Sequence, residues 1–324
     1  MITTLRISRF KSIKSVAIDC KRINLLIGEP NSGKSNILES LALFSWQGHN
    51  GNIHDFSRFE EPQDLFYDGL FDEKIEIDIE EKQNLSMEIG LDDGNFKAWN
   101  KIAGEQKYVT TIKRDTKNPN NIIKEFSFMK YYRFLKQSGF ENSFPGFLLP
   151  PSGNNLFSLV MGNKAINDWI RDFFIPFDLR FMLETREKSF KVVKERDNLL
   201  ITYPYSIISD TLQRIIFFTA AMMSNKESLL IFEEPESFAF PYYTKYLGER
   251  IAFDKNNQYF ISTHNPYLLL AILEKTPKND INVLVTYLEN HQTRLKSLNP
   301  DEIAILMDTD PFFNLDRFLD GEKK

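Results

Sequence analysis

The sequence predicts an α/β fold whose parallel sheet carries a phosphate-binding loop, and three observations predict it. INLLIG, residues 23–28, is a short, continuous apolar run of the kind shown by a parallel strand buried on both faces. The segment Gly28-Glu29-Pro30-Asn31-Ser32-Gly33-Lys34-Ser35 fits G-x-x-x-x-G-K-[ST] at every position, and Ile37, Leu38, Leu41 and Phe44 continue it at helix spacing. Two further apolar strands, 228–232 (SLLIF) and 258–262 (QYFIS), are separated by a helical stretch at 239–253, the alternation that builds parallel sheets covered by helices.

Each element follows from its pattern. Residues 2–10 and 15–20 alternate or cluster apolar residues at strand length, and the nucleotide sheet is expected to come from roughly 1–45 and 200–300. Residues 48–70 have no clear period. From about 73 to 133 the signal is β: KIEIDIE and LSMEIGL alternate, Asp93-Gly94 is a hairpin turn, and Lys117–Asn121 is a loop. This defines a β-rich insertion of about 46–135. Pro150-Pro151-Ser152-Gly153 breaks the chain before a helical stretch at 154–174 and strands near 178–184, 188–195 and 199–203. Leu212, Ile215, Ile216, Thr219, Ala220 and Met223 mark a buried helix. Asn265-Pro266 opens another at 266–274, and 281–288 (INVLVTYL) is a strand. The last twenty residues read as a helix and a loose tail. The expected organisation is a single head over 1–324, with a nucleotide-binding lobe of about 1–135 plus 225–324 and a small helical lobe of about 136–224. No period of 20–50 residues and no sustained heptad is present.

Composition narrows the class. The chain has 324 residues and a net charge of -5, which argues against a protein coated in basic surface but leaves room for a local basic groove. No window holds eighteen uncharged apolar residues, and MITTLRISRFKSIKS lacks the apolar core of a signal peptide. The lone Cys20 excludes an internal disulfide framework and a cysteine-cluster zinc site. These features point to a cytoplasmic protein without a membrane partner.

The motifs supply the chemistry. In the glycine-bearing loop, successive backbone N–H groups and a helix N-terminus face an anion, so Asn31, Ser32, Gly33, Lys34, Ser35 and Asn36 are the candidate nucleotide ligands. Lys34 brings a positive charge to the β- and γ-phosphates of ATP, and the Ser35 hydroxyl is a ligand for Mg2+. The bland alternative is a surface turn. Glu233 and Glu234 emerge at the C-terminal end of an apolar strand, where parallel-sheet sites lie. Glu233 can hold Mg2+ and Glu234 can orient and polarise an attacking water; otherwise the pair is a solvated strand end. His264 closes the next strand, a position within reach of a γ-phosphate, whereas a lone histidine is ordinarily a surface or core residue. Lys107, Lys113, Arg114, Lys117 and Lys124 form either a DNA-facing surface or, as is usual for such mixed runs, a solvated face.

Taken together, Phe10-Lys11-Ser12, the loop ending Gly-Lys-Ser-Asn at 33–36, the acidic box Glu233–Glu236 and the Ser-Thr-His-Asn-Pro box at 262–266 resemble the compact ABC-type ATPases of the SMC/RecF group. That group includes small bacterial AAA-family ATPases found in anti-phage systems. The resemblance implies a P-loop NTPase head without a coiled-coil rod, since the 35-to-228 interval shows only short strands and one helical patch. It implies a catalytic base at Glu234 and a γ-phosphate-sensing switch at His264. It also implies ATP sandwiched between two heads, as a homodimer or higher oligomer, each site completed by the partner's Ser-Gly signature. The corresponding stretch, Ser206–Arg214, lacks the glycine, and Ser209 is the candidate for the trans contact. The Q-loop glutamine of such heads is not assignable: Gln47 and Gln63 both lie in the irregular segment. The implied function is Mg2+-dependent ATP hydrolysis as a switch for a separate effector, such as a nuclease or toxin, or for a DNA transaction. The alternatives are an ATP-stabilised scaffold with little turnover and a RecF-like DNA-repair ATPase.

Overall fold

The computed structural model describes residues 1–114, 116–117, 122–308, 312 and 315–319. Most of the expected loop at 117–121 and of the C-terminal tail lies outside the described residues.

The chain opens with an antiparallel hairpin, β1 (Thr4–Phe10) and β2 (Ile13–Asp19), turned at Lys11-Ser12. β3 (Ile23–Gly28) is buried at every residue and leaves that sheet. α1 (Lys34–Gly48) follows the phosphate loop directly and is buried on nearly all sides. β4 (Ile75–Glu80), β5 (Leu85–Asp92), β6 (Asn95–Ile102) and β7 (Glu105–Ile112) form an antiparallel meander. Its β5–β6 turn has Asp93 and Gly94 both at positive φ, 47° and 73°, as a two-residue hairpin turn requires. β8 (Met129–Tyr132) crosses to the sheet of β3.

Helices α2 (Leu156–Gly162) and α3 (Lys164–Phe174) precede a small antiparallel sheet of β9 (Arg180–Glu184), β10 (Ser189–Arg196) and β11 (Leu199–Pro204). Then come α4 (Asp210–Ser224), β12 (Leu229–Glu233), α5 (Pro241–Phe253), β13 (Gln258–Ser262) and α6 (Pro266–Lys275). The Asn265 side chain caps α6 by accepting from the N–H groups of Tyr267 and Leu268, with Pro266 in the first turn. β14 (Ile281–Glu289), β15 (Gln292–Ser297), α7 (Pro300–Asp308) and α8 (Asp316–Leu319) complete the described chain.

Two six-stranded sheets result. One is antiparallel, in the order β2-β1-β4-β5-β6-β7; the other has the order β15-β14-β3-β13-β12-β8 and is parallel except for β15. α1 lies between them, and Leu26, Leu229, Ile231, Phe260 and Leu284 of the second sheet share a core with Leu5, Ile7, Ile77 and Ile89 of the first. Helices α2 to α6 cover the opposite face of the parallel sheet in a second core.

The sequence-based layout needs three corrections. β1 and β2 do not join the nucleotide sheet: β1 pairs with β4 of the insertion, because both alternate and offer only one apolar face. β8, inside the expected insertion at 46–135, joins the nucleotide sheet as an edge strand. The lobe after residue 136, expected as a small helical one, also holds a sheet, β9 to β11, which lie where strands were expected near 178–184, 188–195 and 199–203. Among the described residues the longest helices have 15 residues, so no rod is present, and no helix is long and apolar enough to cross a membrane.

Candidate active site

The chemistry-bearing residues gather at the C-terminal ends of β3, β12 and β13, which lie side by side and parallel in the sheet. β3 delivers Gly28 into the loop, and the loop bends into α1 through Asn31 at φ 62° and Gly33 at φ 97°. A Cβ on Gly28 would strike the Thr286 carbonyl of β14. One on Gly33 would strike the Thr293 side chain at the start of β15. Both glycines are therefore required by close neighbours as well as by backbone conformation. Ser32 Oγ meets Thr286 Oγ1 at 2.6 Å, which pins the loop to β14.

The first turn of α1 has neither a side-chain cap nor an acidic residue. Its N–H groups are thus free of the usual protein partner, and the positive end of the helix dipole faces the cleft. Lys34 folds back on its own loop and donates to the carbonyls of Gly28 at 2.9 Å and Glu29 at 2.7 Å. Burial lowers its pKa to about 8, against the opposing charges of Glu234 and Glu29.

Glu233 and Glu234 have different surroundings although they are adjacent. Glu233 Oε1 accepts from Arg58 Nη2 at 2.7 Å, and Oε2 accepts from the Tyr131 hydroxyl at 2.7 Å. Burial pushes the Glu233 carboxyl upward, but Arg58 together with hydrogen bonds from Tyr131 and Ser35 outweighs it and holds the group below its ordinary range. Glu234 sits at φ 42°, its N–H bonded to the Ser262 carbonyl at 3.1 Å, and its Oε1 lies 3.4 Å from His264 Nε2. Burial and the nearby Lys34 both lower the His264 pKa, so at neutral pH this is a contact with an uncharged imidazole.

Behind them Glu236 is buried. Its Oε1 accepts from Thr263 Oγ1 at 2.5 Å and from the His264 N–H at 3.3 Å, tying the acidic box to the histidine box. Burial raises its pKa to about 7.

The cleft has a volume of about 510 Å³, and its lining includes Asn31, Ser32, Gly33, Lys34, Ser35, Asn36, Glu234 and His264. Lys11 and Ser12 of the β1–β2 turn, Glu39 of α1 and Arg58 of the connection after it also line the cleft. Glu39 is buried in α1 and organises this wall, accepting from Lys11 Nζ, from Ser57 Oγ at 2.9 Å and from Arg58 Nε at 2.7 Å. Ser12 Oγ accepts from Asn36 Nδ2 at 2.7 Å and meets Thr293 Oγ1 at 2.6 Å, locking the β1–β2 turn to the phosphate loop.

Other expected residues lie elsewhere. Ser209 precedes α4, is exposed and does not line the cleft. Gln47 is buried near the far end of α1 and accepts from Asn100, and Gln63 is exposed in a short turn; neither lines the cleft. Arg114, from the proposed basic surface, is exposed and paired with Glu60 and Glu61. Glu39, Arg58 and Tyr131 were missed by sequence reasoning. The only signal was Glu39 sitting one helical turn after Ser35.

A glycine-bearing loop between a buried strand and a helix, with two acids and a histidine on the neighbouring strand ends, defines a P-loop nucleoside-triphosphatase. Residues 1–155 match the family model described as the AAA ATPase domain. The chain is 23% identical over 379 residues to an ATP/GTP phosphatase of Helicobacter pylori, covering 100% of this chain and 99% of that protein. Among solved structures, an Smc head bound to the C-terminal winged-helix domain of ScpA aligns with a TM-score of 0.62 at 14% identity, covering 94% of this chain and 99% of that one. An Smc head with an extended coiled coil, bound to the C-terminal domain of ScpA and derived from Pyrococcus furiosus, aligns at 0.56 and 10% identity, covering 95% and 98%. The N-terminal 155 residues are thus similar to an AAA ATPase domain, and the chain as a whole shares the fold of Smc heads.

Proposed function

We propose that the protein binds ATP with Mg2+ in this cleft and uses hydrolysis as a conformational switch, two heads closing over the nucleotide to control a separate effector. The observation that carries this reading is the convergence of Lys34, Ser35, Glu234 and His264 on one cleft, with Glu233 beside it. Among the described residues no three His, Cys, Asp or Glu side chains form a metal cage. The Ser35 hydroxyl and Glu233 carboxylate are hard oxygen donors, which suits an ion that keeps several waters and takes further oxygens from substrate phosphates, as Mg2+ does. When bound, Mg2+ neutralises charge on the β- and γ-oxygens.

The remaining steps belong to the chain. Lys34 exchanges its two loop carbonyls for phosphate oxygens, and the uncapped α1 N–H groups receive the same anion. Glu234 orients water and takes its proton, while His264 carries the presence of a γ-phosphate back to the acidic box through Glu236. The Helicobacter relative, named an ATP/GTP phosphatase, supports triphosphate hydrolysis, and the ScpA-bound Smc heads support a partner protein. The effector we have in mind is a nuclease or toxin of a cytoplasmic anti-phage system, with DNA as a further partner. A scaffold with little turnover is favoured by one observation, the glycine-free stretch before α4.

Ser209 separates the two. In the switching model Ser209→Arg leaves ATP affinity of the single head nearly unchanged, since the residue is outside the cleft. ATP-dependent dimerisation, read by light scattering in a Glu234→Gln background, and phosphate release in the wild-type background then fall together. A protein of constant oligomeric size with normal turnover in both forms favours the scaffold and removes Ser209 from the site.

A further inference from the structure

A second cavity of about 290 Å³ adjoins the cleft and shares Ser35, Arg58 and Glu234 with it. Beyond those shared residues it is lined by Arg133, Phe134, Leu135, Arg214, Glu233 and Ser237. Its charge is unusual. Arg58 is committed to Glu39 and Glu233, but Arg133 and Arg214 have no ion pair among the described residues.

The fold aims both of them. Tyr132 of β8 pairs with Phe232 of β12, so the strand register sets Arg133 beside Glu233. The Arg133 charge is close enough to lower the proton affinity of Glu233 and to oppose, without outweighing, the burial that raises that of Tyr131. Arg214, in the first turns of α4, has its guanidinium 4.7 Å from the Phe134 ring centre and 5.9 Å from that of Phe238. Its Nε is buried and without a hydrogen-bond partner, and burial lowers its pKa. Two guanidinium forks, one stacked and partly unpartnered, are thus held next to the catalytic acids on the side away from the loop. A tetrahedral oxyanion is the ligand that such donors match.

We propose that this cavity is a product site for inorganic phosphate. On hydrolysis the bond between the γ-phosphorus and the oxygen bridging it to the β-phosphate breaks and the bond to the water oxygen forms. Glu234 takes the water proton, leaving ADP and orthophosphate. The orthophosphate then moves past Ser35 and Glu234 onto Arg133 and Arg214 before leaving. This rests on the hydrolysis reading, and the test separates the two.

The full chain is loaded with Mg-ADP, with ADP binding followed by calorimetry, and inorganic phosphate is titrated while its phosphorus NMR line width is recorded. The wild-type protein broadens the line. Arg133→Gln with Arg214→Gln raises the phosphate concentration for half-maximal broadening at least tenfold, and Arg114→Gln, outside the cavity, does not. If the glutamine pair fails to fold, Arg133→Lys with Arg214→Lys keeps the charge but loses the fork and weakens phosphate by a smaller factor. Equal broadening by the folded arginine variants and the wild type overturns the phosphate site, as does a wild-type protein that binds ADP and leaves the line sharp. A wild-type protein that fails to bind ADP removes the nucleotide reading itself.

Discussion

The two six-stranded sheets contain equal numbers of strands and press on opposite sides of the same helix, yet they serve the cleft differently. The inner strands of the parallel sheet are buried on both faces, and the residues it gives to the cleft follow the ends at which its parallel strands finish. The antiparallel sheet alternates, with one face in the core, and contributes to the cleft through the β1–β2 turn and the long connection that carries Arg58. Parallel strands bring several chain segments to one edge at once, so that edge can hold a reaction centre. Antiparallel hairpins deliver single turns, which can brace a centre but cannot assemble one.

Mutations on the two walls should therefore differ in kind. The largest effect belongs to Glu234→Gln, which removes the carboxylate proposed to orient water: turnover falls by about 10²- to 10⁴-fold while ATP stays bound, as read by phosphate release and calorimetry. A mutant at the wild-type rate would place the base elsewhere. Next is Lys34→Ala, which loses a charged hydrogen bond to phosphate and weakens ATP by about a hundredfold; unchanged affinity in calorimetry would remove the central claim. On the other wall, Glu39→Ala leaves Lys11 and Arg58 without their shared buried acceptor. The expected loss is about 2 kcal/mol of stability in urea unfolding, reduced below the fully buried case because Arg58 is half exposed. If this mutant instead lost turnover with no loss of stability, the antiparallel wall would be catalytic and the contrast would fail.

The smallest effect concerns protons. Burial sets the Lys34 pKa at about 8, and ATP binding should return the group toward its ordinary value. The lysine is then less protonated free than bound. Binding at pH 8 should take up about half a proton through this group, fading as the pH falls toward 7. Calorimetry in buffers of different ionisation enthalpy reads the number, and proton release would reverse the sign.

How much of this was legible follows from the same contrast. The phosphate loop, the glutamate pair and His264 each end a continuous apolar run, so a strand and its terminal residue were readable together. Glu39 was hidden because it is a charged residue on a helix buried nearly all round, where no polar face exists to mark it. Arg58 lies in a stretch of short turns without a period. β15, QTRLKS, is an edge strand too polar to register, although its second residue is Thr293. The partition of β1 and β2 was misread because sheet membership depends on a pairing partner, β4, more than sixty residues away.

Thr286 and Thr293 carry a consequence for anyone wishing to transplant this loop. The eight residues from Gly28 to Ser35 are shaped from outside, by a carbonyl and a hydroxyl on the β14–β15 hairpin more than 250 positions later in the chain. Grafted onto another strand–helix joint, the octapeptide would keep its glycines and lysine but lose the mould against which they are cast. The portable unit is therefore the loop together with its distant hairpin.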